Sequence, residues 1–154
     1  MRNPFKASLT LRRLLTHTGG LDDMLLGKLA PTPAELEPLG EHLARHMPPV
    51  IDPPGTVSRY SNYGMALAGY LVEIASGMPF ETYVEKNLFV PLGMRTASFV
   101  QPSPLAADLA IGHGSRGGKS KPRPPLLIND APAGSVTTRI DDMARFMIAF
   151  LNEG

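Results

Sequence analysis

Tyr60-Ser61-Asn62 places a phenol and a neutral carboxamide two residues apart. A phenol can give or take a proton, and a carboxamide donates and accepts hydrogen bonds at once. The triplet lies between a proline-rich turn, Asp52-Pro53-Pro54-Gly55-Thr56, and an apolar run of helical periodicity that begins near Gly64. The turn sets the approach of the chain and the helix sets its exit. Side chains held from both sides are what proton handling needs. The same residues also suit a purely structural role: Ser61 or Asn62 can cap the helix, with Tyr60 packed ahead of it.

Other stretches have the letters of a site without the setting. His42 and His46 are four apart and would share a helix face. Such a pair can bind zinc, but no Glu follows His42 and no third ligand is evident, so solvent-facing histidines are expected and no metal is assigned. Gly112-His113-Gly114-Ser115-Arg116-Gly117 matches a dinucleotide glycine pattern, yet Pro and Lys follow instead of a helix. Gly118-Lys119-Ser120 looks like the end of a phosphate loop whose first glycine is replaced by His113. Arg116, Lys119, Lys121 and Arg123, among Gly and Pro, are expected in a solvated loop.

The elements that must position the triplet are mostly helical. Thr10 can cap a short helix with Leu11, Leu14 and Leu15 on its apolar face, ended by Gly19-Gly20. Leu21 to Leu29 reads as a helical turn packing over it. Thr32-Pro33-Ala34-Glu35 has the form of a capping box, with Leu36, Leu39 and Leu43 following at helical spacing. Pro38 conflicts with that helix and can move its start. Pro48-Pro49 and Pro53-Pro54-Gly55 bracket an extended Val50-Ile51. The strongest helix runs from about Asn62 to Ser76, with an apolar stripe of Leu67, Leu71 and Ile74, small Ala66, Ala68 and Gly69, and Gly77 as the stop. Phe80, Tyr83, Val84 and Leu88 mark another, stopped at Pro91-Leu92-Gly93. Thr96 to Val100 and Leu109 to Ile111 suggest short strands. Leu126-Leu127-Ile128 is a brief apolar piece, and Pro132 to Ser135 a turn. Thr138 with Asp141 begins a last helix whose stripe is Met143, Phe146, Met147, Phe150 and Leu151.

Composition narrows the classes. The chain has 154 residues, 43% apolar and 19% charged, enough for one domain with a core. No apolar run is long enough to span a bilayer. A formal net charge of +1 gives no reason to expect a nucleic acid as partner. There are no cysteines, so disulfide and thiol chemistry are excluded. Sixteen prolines and fifteen glycines imply short elements and many turns. The first six residues lack the apolar core of a signal peptide.

Taken together, the order of segments resembles a known family. Leu14-Leu15-Thr16-His17-Thr18-Gly19-Gly20, then Pro53-Pro54-Gly55-Thr56 with Tyr60-Ser61-Asn62, then Pro91-Leu92-Gly93-Met94, then Pro132-Ala133-Gly134 leading to Asp142-Met143-Ala144-Arg145-Phe146, is similar to the serine beta-lactamase family of class C type. That family includes D-alanyl-D-alanine carboxypeptidases and family VIII esterases. Its nucleophile is a Ser with a Lys three positions later, its second motif Tyr–x–Asn, and its third a His/Lys–x–Gly triplet on an edge strand. The resemblance implies that Tyr60 is the proton shuttle. It implies that Asn62 holds the first-motif Lys and the substrate's side-chain amide. No role falls to Ser61. The segment from Gly112 to Gly134 would form one wall of the cleft.

None of the nine serines has a Lys three residues later. His17-Thr18-Gly19 matches the third motif in letters but sits at a helix end. The resemblance therefore implies residues 1–154 as a single, mainly α (α+β) helical lobe with a few short strands, an interior fragment of a larger serine hydrolase domain. Residues 101–135 would be an irregular loop lining the cleft. The expected partners are a small-molecule acyl substrate in the parent protein and the rest of the parent domain. No cofactor is implied. The face that packs on the parent's sheet would be uncovered and self-associate. The parent's setting would be the cell envelope or periplasm. A phenol without its Lys and Ser partners is a poor base at neutral pH, so the chain alone is expected to be inactive. Two other readings stay open: a nucleophile-free binding or scaffolding module of the same family, and a plain helical interaction domain.

Overall fold

The computed structural model describes residues 3–23 and 27–154. The helices are α1 (Leu11–Leu15), α2 (Leu39–Arg45), α3 (Asn62–Ser76), α4 (Phe80–Val84) and α5 (Ile140–Leu151). The strands are β1 (Leu29–Ala30), β2 (His113–Arg116), β3 (Lys119–Pro122) and β4 (Leu127–Ile128). They form two antiparallel pairs, β1 with β4 and β2 with β3. Helices joined by many turns and few strands agree with the expected class.

The fold is built around α3. Ser61 caps it by accepting a hydrogen bond from the Gly64 amide at 3.0 Å, and Gly77 stops it in the left-handed conformation, φ 68°. Its buried face is Tyr63, Gly64, Ala66, Ala68 and Gly69, against which α1, α2, α4 and the turn Ala131–Ala133 pack. Leu14, Leu21, Leu43 and Val50 complete this core, and the Tyr63 hydroxyl donates to the Leu43 carbonyl at 3.0 Å. Burial raises the Tyr63 pKa.

Of the expected stripe, only Leu67 packs against the core. Leu71 and Ile74 are exposed, because the neighbours approach the side of α3 where small residues admit them. Gly69 shows how closely: a Cβ there would lie 2.4 Å from Cγ of Pro132. The α5 stripe differs similarly. Phe146, Met147, Phe150 and Leu151 are exposed, while Asp142 is 1% exposed and anchors the helix. Asp142 accepts from the Thr96 amide and hydroxyl, each at 2.6 Å, and from Arg145. The Thr96 hydroxyl leads the influences that hold its pKa below the usual carboxylate value. Thr138 is not the cap; α5 begins after Arg139.

Several local expectations are corrected. Leu21 is extended and bridges Val50, so the described part of Leu21–Leu29 is not helical; Met24, Leu25 and Leu26 lie outside the described residues. The capping-box segment makes one 3-10 turn, Pro33–Glu35, in which the Thr32 hydroxyl bonds the Glu35 carboxylate and caps no amide. Pro38 then restarts the chain as α2. Thr96–Val100 contributes a single bridge, Ser98 to Thr137, and Leu109–Ile111 no strand. The supposed solvated loop at 112–123 is a hairpin. Gly117 and Gly118 both have positive φ, 59° and 75°, the geometry a two-residue turn needs to match strand twist. Residues 101–135 therefore contain ordered pairing within the irregular chain.

Gly69→Ala should destabilise the protein by about 1–3 kcal/mol despite alanine's better helix propensity, because the proline ring must shift. Chemical denaturation measures it.

Candidate active site

The approach to Tyr60 begins at the end of α1. The helix closes with the Thr18 amide donating to the Arg13 carbonyl at 2.8 Å and the His17 amide to the Leu14 carbonyl at 3.1 Å. This closure needs one residue in the left-handed region, and the position is His17, φ 54°, where glycine is usual. The helix thus stops before Gly19-Gly20. A bulky residue in that conformation costs roughly 1–2 kcal/mol, so its side chain must contribute elsewhere. It does. The His17 ring lies against the Tyr60 ring, centroids 4.5 Å apart, and its Nδ1 accepts from the Ser61 amide at 3.3 Å. The His17 carbonyl accepts from the Arg59 amide at 2.7 Å.

The proline-rich turn is laced to the same strip of chain. The Gly55 amide donates to the Thr18 carbonyl at 2.7 Å and the Ile51 amide to the Gly20 carbonyl at 2.8 Å. Arg59 pairs with Asp52 at 2.6 Å. Tyr60 leaves this frame 59% exposed, so it is not a packed residue ahead of the helix. Its hydroxyl donates to Asn62 Oδ1 at 3.0 Å.

Asn62 is fixed by a carboxylate. Its backbone amide donates to Asp23 Oδ1 at 3.0 Å and its Nδ2 donates to Asp23 Oδ2 at 2.9 Å. Lys28 pairs with Asp23 at 2.8 Å and reaches Asp130 at 3.9 Å. Lys28 is itself only 12% exposed. Burial alone would raise the Asp23 pKa, but the hydrogen bonds from Lys28 and Asn62 and the Lys28 charge together bring it below the ordinary value. Asp130 is pushed the other way, chiefly by burial. The result is a polar chain, Lys28–Asp23–Asn62–Tyr60, that ends on an exposed hydroxyl.

The structure places the Tyr60 hydroxyl on Asn62 Oδ1 and gives Ser61 the capping role. It leaves His17-Thr18-Gly19 off any strand, as a helix end. Sequence reasoning missed Asp23, Lys28 and His17 as neighbours of the triplet. For Asp23 and Lys28 no local signal existed. His17 carried one, a helix end with no glycine at the first left-handed position. A cavity of about 910 Å³ lies elsewhere; it is lined by Leu36, Tyr70, Ile74, Phe99 and Ile128 among others, and not by Tyr60 or Asn62.

A family model described as Beta-lactamase matches residues 1–154. The chain belongs to the beta-lactamase family. A putative penicillin-binding protein, PbpX, of Bacillus subtilis is 28% identical over 151 residues, covering 97% of this chain and 37% of that protein. A monacolin J acid methylbutanoyltransferase of Aspergillus terreus is 34% identical over 108 residues, 61% of this chain and 24% of its own length. The crystal structure of a penicillin binding protein from Bacillus halodurans superposes with a TM-score of 0.75 at 28% identity, covering 99% of this chain and 48% of that one. The chain therefore spans less than half the length of each of these relatives, and it shares their fold over that span.

Asp23→Asn should lower stability by about 1–3 kcal/mol at pH 7, since it weakens the hold on two Asn62 amides and leaves Lys28 facing only Asp130. Because the native pKa of Asp23 is depressed, its contribution is complete above the unfolded carboxylate value and fades as pH falls through the native one. Denaturation of both proteins should show the gap narrowing below about pH 4.

Proposed function

We propose that this chain supplies the proton-handling part of an acyl-transfer site, in the helical lobe of a beta-lactamase-like serine hydrolase. The reaction is amide or ester cleavage through an acyl-serine. The serine oxygen bonds to the substrate's carbonyl carbon, the bond to the leaving nitrogen or oxygen breaks, and Tyr60 passes the serine's proton to the leaving group. Asn62 orients the Tyr60 hydroxyl and the substrate's polar groups, and residues 101–135 border the cleft. The observation that carries this reading is the Tyr60 hydroxyl, exposed yet fixed at 3.0 Å from an Asn62 that Asp23 anchors. Affinity to penicillin-binding proteins and to an acyltransferase is consistent with acyl chemistry. The nucleophile has no counterpart among the nine serines, none of which has the Lys partner.

A group that acts as part of a unit gives little by itself. The chain assayed alone should therefore not turn over nitrocefin or p-nitrophenyl esters. Turnover that Tyr60→Phe abolishes would overturn this. In a protein that joins this segment to a Ser–x–x–Lys helix, Tyr60→Phe should lower kcat by roughly 10²–10⁴-fold and leave stability nearly unchanged.

We also infer that the outward apolar side chains are covered in the working protein by further protein surface. Ile140 is 84% exposed, and Ile74, Phe150 and Leu151 are also open. Residues Leu11, Leu15, Met65, Leu71, Val72 and Tyr83 line a second cavity, of about 520 Å³, along α3. Apolar surface of this kind associates in water. Alone, the chain should self-associate at tens of micromolar, roughly the range in which modest interfaces saturate; sedimentation that shows only monomer would refute this.

A further inference from the structure

His42 and His46 do not face solvent together as their spacing suggested. His42 is 2% exposed, buried beside the core, and His46 is half-buried. Their rings lie 4.7 Å apart, tilted by 36°. A third ligand type reaches them from upstream. Glu37 precedes Pro38, whose extended backbone, φ −54° and ψ 135°, turns the chain into α2 and leaves the carboxylate over the helix. Glu37 Oε2 is 3.3 Å from His42 Nδ1. One ligand atom from each of Glu37, His42 and His46 lies within 4.8 Å of the other two.

We propose that Glu37, His42 and His46 form a site for one divalent transition-metal ion, of the zinc type. The separation favours it. At 3.3 Å the Glu37–His42 contact is long for a hydrogen bond. It is close to the ligand-to-ligand edge of a tetrahedron with bonds of about 2.0–2.1 Å, and the three ligand atoms, all within 4.8 Å of one another, would draw together on binding. Two imidazoles and one carboxylate are also a set that zinc accepts, with the fourth position left for water.

The surroundings hold the three groups in place. The Glu37 amide donates to Asn129 Oδ1 at 3.0 Å, and Asn129 Nδ2 donates to the Gly27 carbonyl at 3.0 Å. Gly27 lies against His46 so closely that a Cβ there would be 2.4 Å from Cε1 of the ring. Arg45 bonds the other Glu37 oxygen, which orients the carboxylate as groups behind a metal ligand do. Such an ion would pin the segment before α2 to the end of that helix, a structural task separate from the acyl chemistry.

Protein freed of metal by chelator and titrated with zinc chloride in a calorimeter should bind one equivalent, with a Kd on the order of 10 µM or tighter. Its Tm should rise. Cobalt(II) in place of zinc should give the intense visible absorption of a tetrahedral site. His46→Gln, at a half-buried position, and Glu37→Gln should each weaken binding by roughly 10- to 100-fold. A Kd weaker than about 1 mM, or affinity unchanged in both variants, overturns the site. Should both variants fail to fold, NMR of the unaltered protein decides. Zinc should move the imidazole Cε1–H signals of His42 and His46; shifts confined to His17 and His113, or none, overturn it.

Discussion

The candidate site depends on the grip of one carboxylate on the first residue of α3. Asp23 takes the backbone amide of Asn62 with one oxygen and its side-chain amide with the other. The first amides of a helix have no partner within it, so a carboxylate there meets both an unsatisfied donor and the positive helix end. The second bond fixes which way the carboxamide faces. With Nδ2 committed to Asp23, Oδ1 turns to Tyr60 and accepts its hydroxyl. Lys28 keeps the carboxylate charged and in place. Removing Asp23 leaves two Asn62 amides without their acceptor, the costly outcome for such a chain.

Strain at His17 has the same purpose. A glycine would close α1 at lower backbone cost, but it would give Tyr60 nothing to lie against and the Ser61 amide nothing to donate to. Stacking and one hydrogen bond offset the left-handed backbone. The phenol can therefore remain exposed without being free. Exposure and fixation, which normally oppose each other on a surface, are reconciled by a short strip of chain laced at Thr18, Gly20 and His17.

Helix α3 divides the molecule by side-chain size. Its small residues and Tyr63 face inward, where α1, α2, α4 and the Pro132 turn come close; Leu71 and Ile74 face outward. The same inversion holds in α5, where the buried contact is polar, Asp142 with Thr96, and the apolar residues are open. An apolar stripe read from periodicity thus shows where large apolar residues line up on a helix, without saying whether that face packs within the same stretch of chain.

The sequence by itself determined the limits of α3, its glycine stop and the turn before Tyr60, and narrowed the cap to Ser61 or Asn62. These follow from neighbours within a few residues, where propensity and capping act. It also carried the hairpin at Gly117-Gly118, a local signal that the loop reading passed over. Only the tertiary structure decided that Asp23 and Lys28 stand behind Asn62, that Glu37 meets His42 and His46, and which face of α3 is buried. Asp23 and Asn62 are 39 residues apart, and their meeting depends on how α1 and the Asp52 turn pack together. Hydrogen bonds of that kind leave no periodicity in a sequence, because geometry selects the partner and composition does not.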